Sequence, residues 1–122
     1  MGYIKDEYLI FTSWEKEPLQ ELRAEMKKIM INIFKDIDFF PDIANYVSPV
    51  LSGLANSNYF LFLPADGSKE GWEVSSVMND VREGVIEWVI KYNYDSPTKI
   101  EIIGLEDDEY SGLSCEYVHR GY

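Results

Sequence analysis

From Pro18 onward the apolar residues Leu19, Leu22, Met26, Ile29, Met30 and Ile33 recur at steps of three and four. That period wraps one stripe along an α-helix, and Pro18 stands where a first turn tolerates a missing N–H. The spacing predicts a helix over residues 18–34. Glu21 and Glu25 lie toward its start and Lys27, Lys28 and Lys35 toward its end, which complements the helix dipole. A helix with one apolar stripe has to bury it against another layer. The rest of the chain must supply that layer.

Short β-branched and aromatic runs can do so. Residues 8–12, Tyr-Leu-Ile-Phe-Thr, have the composition of a strand. Residues 46–54 form an apolar run broken by Pro49, which suits only an edge strand. After the turn-rich Ala55-Asn56-Ser57-Asn58, the unbroken Tyr59-Phe60-Leu61-Phe62-Leu63 reads as a central strand covered on both faces. Val77, Val81, Val85, Trp88, Val89 and Tyr92 set a second helix over residues 75–92, capped by Ser75 or Ser76. Gly84 inside that helix points to close packing against a neighbour. Residues 98–105 read as a strand and 106–112 as an acidic turn. The last strand, 113–122, would carry Leu113, Cys115, Tyr117 and His119 on one face.

The expected architecture is therefore α+β, one domain over residues 1–122, with two helices and a mainly antiparallel sheet of four to five strands. Its order is a ferredoxin-like β-α-β-β-α-β with an extra C-terminal strand. A chain of 122 residues with 46% hydrophobic and 27% charged residues has the composition of one globular core. Lys5, Asp6 and Glu7 interrupt any signal-peptide core, and no apolar run is long enough for a membrane span, so a cytoplasmic location is expected. The single cysteine, Cys115, suits a reducing compartment and reads as a packed core residue rather than a nucleophile. On a regular strand it stands about 13 Å from His119, the sole histidine, beyond hydrogen-bond reach.

The unusual bulk property is charge: 22 acidic residues against 11 basic ones, net −11. Residues 41–122 hold 14 acids and 5 bases, whereas residues 1–40 hold 8 and 6. A field of that sign repels phosphate backbones and anionic membranes and attracts basic partners. Direct nucleic-acid or membrane binding is thereby disfavoured.

No stretch carries a signature of catalysis. The turn around Asp66-Gly67-Ser68-Lys69-Glu70-Gly71 lacks the Gly-Lys-Ser/Thr spacing with which a P-loop converges on phosphates. A tight Asp-Gly turn with Trp72 over the core edge is expected instead, and Asp66, Ser68, Lys69 and Trp72 are its candidate functional residues. The same stretch resembles a Pro-Asp-Gly-Ser-Lys-Glu-Gly-Trp type of turn found in small bacterial and phage-associated proteins, with Ala65 inserted after Pro64. The resemblance covers about a quarter of the chain; it implies no activity and points to a phage or mobile-element setting. Glu106, Asp107, Asp108 and Glu109 lack the spacing and central glycine of a calcium loop and read as a solvated turn. No catalytic residue, metal site or cofactor is assigned.

Nine tyrosines and three tryptophans add side chains favoured at interfaces. The expected function is a non-catalytic interaction domain for a basic protein partner, with Glu106, Asp107, Asp108, Glu109, Tyr110, Tyr94 and Tyr122 as candidate contacts. The alternatives are a nucleic-acid mimic, a small ligand-binding or enzymatic domain, and a self-associating structural protein.

Overall fold

The computed structural model describes residues 4–35, 46–69 and 71–121. Strand β1 (Lys5–Ser13) leads into helix α1 (Lys16–Phe34); β2 (Leu51–Ser52) and β3 (Tyr59–Leu63) follow. Helix α2 (Glu73–Asp95), β4 (Glu101–Asp108) and β5 (Gly112–His119) complete the order. The five strands form one sheet in the order β2-β3-β1-β4-β5, with every neighbouring pair antiparallel. The architecture is α+β, with two helices among the described residues.

The helix period does what it promised. Leu19, Leu22, Met26, Met30 and Phe34 of α1 are buried, and they meet Val81, Val85 and Val89 of α2 in one core with Phe11, Leu61, Leu63 and Ile102 of the sheet. Gly84 is where α1 comes close: a Cβ there would touch Ile29 at 3.7 Å. Ser75 does not cap α2; it is buried in the first turns, and Trp72 occupies the cap position with no side-chain hydrogen bond. The apolar stripe extends N-terminally to Val74, so the helix begins before either serine.

The strands depart from expectation in their bounds and in their register. Of the run 46–54, only Leu51–Ser52 is strand; before it, the Phe62 N–H donates to Ser48 Oγ at 2.9 Å, so a side chain replaces part of the ladder. The acids 106–108 are not turn but the end of β4, opposite Glu7, Asp6 and Lys5 of β1, and the turn shrinks to residues 109–111. Alternation continues through them, so charge alone did not end the strand. In β5, Tyr117 faces Gly104 while Cys115 faces Leu105, leaving Glu116 with no residue opposite. Such a bulge reverses which face the following residues take. Tyr117 and His119 turn to the helices, and Cys115 to the other side, where it is exposed rather than core.

Candidate docking face

Both helices lie on one side of the sheet, and the register fixes what the other side presents. Leu9, Phe11, Leu61, Leu63 and Ile102 point to the helices and are buried. Their neighbours point away: Tyr8 and Ile10 on β1, Phe60 and Phe62 on β3, and Ile103 and Leu105 on β4 are only half-buried. Leu51 at 50%, Val118 at 53% and Leu113 at 68% are openly exposed. The unbroken apolar run of β3 is thus covered on one face, not two. No helix among the described residues covers the second face.

Pairing orders these side chains into rows across the strands. Phe62, Ile10, Ile103 and Val118 form one row; Tyr8, Leu105 and Cys115 form the next. The rings of Tyr8 and Phe62 stack across the rows, 6.1 Å between centroids and 6° from parallel. Beyond one corner sit Leu51 and Phe60, and beyond the opposite corner Leu113. The result is a diagonal apolar stripe from β2 to β5.

Carboxylates flank that stripe. Asp6 and Asp107 stand directly opposite each other on one side, and Glu101, opposite Thr12, stands on the other. Two like charges in a cross-strand pair disfavour folding, and they raise the local negative potential at the rim. Desolvation, then Asp6, then Asp107 push the phenol of Tyr8 up from its ordinary range.

The helix side carries the one buried charged side chain among the described residues. Arg82 is 7% exposed and donates from Nη2 to Asn79 Oδ1 at 2.6 Å. Its Nε lies 3.0 Å from Glu7 Oε2 and its Nη1 3.8 Å from Asp66 Oδ2; the Nε–H is off the axis of a hydrogen bond. Asp66 accepts from the Ser68 N–H at 2.8 Å and the Ser68 hydroxyl at 2.5 Å, so two of the four candidate turn residues build the turn itself. Gly67, at φ 79°, supplies the left-handed step. Lys69 makes a lone bridge with Ile4, and Trp72 is half-exposed ahead of α2. Tyr46 donates to the Pro64 carbonyl at 2.5 Å; burial and then Asp66 push its phenol far up, against the opposing pull of Arg82.

A cleft of about 370 Å³ opens beside Arg82, lined by Lys5, Glu7, Glu106, Glu116 and Tyr117. Its cations face its own acids: Lys5 Nζ lies 3.5 Å from Glu106 and 3.9 Å from Glu7. Among the described residues, no three His, Cys, Asp or Glu side chains gather closely enough to hold a metal ion, and no helix is long and apolar enough to cross a membrane. Cys115 and His119 lie on opposite faces of the sheet, and His119 Nε2 sits 3.1 Å from Asn93 Nδ2.

The candidate contact residues scatter. Glu106 faces the helices; Asp107 faces away from them. Asp108 Oδ1 accepts from the N–H groups of Tyr110 and Ser111 at 2.8 and 3.2 Å, and Glu109 exchanges hydrogen bonds with Ile4 at 2.8 and 2.9 Å. Tyr110 and Tyr94 are both exposed, but the length of β4 separates them, roughly 25 Å at ~3.3 Å per residue. Tyr122 lies outside the described residues. The stripe residues Ile10, Phe62, Ile103 and Leu105 escaped sequence reasoning. One signal for them existed: two amphipathic helices cover one side of a sheet, and the strands carry apolar residues for two.

No protein-family model matches the chain, and neither a curated protein nor a solved structure matches it.

Proposed function

We propose that this protein is a non-catalytic interaction domain that docks a basic protein partner on the open face of its sheet. One observation carries the reading: a diagonal stripe of apolar residues, from Leu51 to Leu113, lies on the side of the sheet that no helix among the described residues covers, with Asp6, Asp107 and Glu101 at its flanks. Contiguous exposed apolar surface rimmed by charge marks an interaction site. The rim sets the sign of the partner, and the net charge of −11 draws a basic one in. Within this reading the scaffold is a ferredoxin-like β-α-β-β-α-β unit with β5 added outside β4, a fifth strand that widens the docking face. A nucleic-acid mimic draws less support, because Glu7 and Glu106 face the helices while Asp6 and Asp107 face away, and no single acidic ridge results.

The test is a triple variant, Ile10→Thr, Ile103→Thr and Leu105→Thr. Each cross-strand contact on this face is worth about 0.2–1 kcal/mol, and circular dichroism checks that the variant keeps its fold. Host proteins retained by the wild-type chain, released by salt and lost by the variant are the expected result. Identical retention by both chains would remove the open face from the interface.

A further inference from the structure

The shape of the stripe says what kind of element lies on it. With strands ~4.8 Å apart and same-face residues ~6.6 Å apart along each strand, the diagonal from Leu51 to Leu113 runs roughly 27 Å. It is about two side chains wide, bounded by Asp6 and Asp107 on one side and by Glu101 on the other. An α-helix rises ~1.5 Å per residue and is ~10 Å wide, so a helix of about 18 residues matches the stripe in both dimensions.

We infer that the occupant is a single amphipathic helix whose apolar stripe is flanked on both sides by lysine or arginine. This rests on the reading of the open face as the docking surface and deepens it. The main competitor is a second copy of the chain. The stripe covers roughly 300 Å² at the spacings above, against the ~800 Å² per partner of a standard stable interface. Face-to-face pairing would also bring Asp6, Asp107 and Glu101 of two chains together, each chain carrying net −11. A basic helix meets the same apolar residues and neutralises both flanks. The charged flanks make its association rate salt-sensitive.

Three dye-labelled synthetic peptides of 18 residues test this by fluorescence anisotropy against the full chain: a leucine stripe flanked by lysines, the same stripe flanked by glutamates, and a scramble of the first. The lysine peptide alone should bind. Ile103→Glu should weaken it at least tenfold, and Asp107→Asn with Glu101→Gln several-fold, with a shallower salt dependence. If Ile103→Glu disturbs folding, as circular dichroism would show, Ile103→Thr serves in its place. Equal binding of the glutamate peptide, binding indifferent to the Ile103 variants, or no binding at all would overturn the inference. Sedimentation velocity separates that failure from failure of the docking reading. A wild-type dimer that Ile103→Glu makes monomeric would overturn the helix while the open face stayed the interface.

Discussion

The two faces of the sheet are built from the same kinds of residue and do different things. On the covered face, Phe11, Leu61, Leu63 and Ile102 meet helix side chains and leave the water entirely. On the open face, Ile10, Phe60, Phe62 and Ile103 are as apolar and only half-buried. Hydrophobicity therefore does not separate the covered face from the open one in this chain; what separates them is whether a helix among the described residues packs against them. The faces also treat charge differently. The covered side admits Arg82 only where Glu7 and Asp66 meet it, whereas the open side holds Asp6 against Asp107 with like sign facing like.

The two faces should differ most at a matched pair of phenylalanines. Phe11→Ala should cost about 3–5 kcal/mol, because it removes a fully buried ring from the core between the sheet and its two helices. Phe62→Ala should cost less than half as much. Urea denaturation of both variants checks this, and equal losses would mean that the open face is core. Arg82→Met tests the charged part of the covered side. Removing one partner of a buried pair costs about 3–5 kcal/mol when the other stays fully buried. Because Glu7 keeps 31% of its side chain in water, a loss near the bottom of that range is expected, read from the same denaturation curves.

Two glycines sharpen the contrast between strand and helix. A Cβ at Gly104 would lie 2.9 Å from the Tyr117 Cβ, which is held beside the backbone and cannot swing aside. Gly104→Ala should therefore destabilise by about 1–3 kcal/mol. At Gly84 the nearest contact would be 3.7 Å, from Ile29, and the helix gains a better former. Gly84→Ala should stabilise by about 1 kcal/mol, seen as a raised Tm.

The smallest effect is a pH dependence. The folded state holds the Tyr46 phenol above its ordinary value, chiefly through burial, so the unfolded chain loses that proton first. Stability from this group is fully present below the unfolded tyrosine value, about 10, and falls as pH rises beyond it. Tyr46→Phe should flatten the alkaline loss, at a cost of about 1 kcal/mol at neutral pH for the hydrogen bond to Pro64. An alkaline slope unchanged in Tyr46→Phe would assign it to another group; on the open face, Tyr8 is shifted in the same direction.

Residue order dictates local structure here. The three- and four-residue steps from Leu19 and from Val77 decide two helices, since a period of that kind has one low-energy conformation that gathers its apolar residues. The runs at 8–12 and 59–63 decide strands, and the charge count decides the sign of the field. None of these says which side of a strand is covered. That depends on where the helices pack, a matter of contacts between residues far apart in the chain, and only the tertiary structure put both helices on one side. It also placed a single extra residue, Glu116, in β5. Because strand side chains alternate with a period of two, one inserted residue moves Cys115 from the expected core to the open face and keeps Tyr117 and His119 toward the helices. The acids tell the same story. Their number is read from composition, but whether a carboxylate joins an ion pair, as Glu106 does, or flanks the apolar stripe of the open face, as Asp107 does, follows from alternation within a strand whose end charge did not mark.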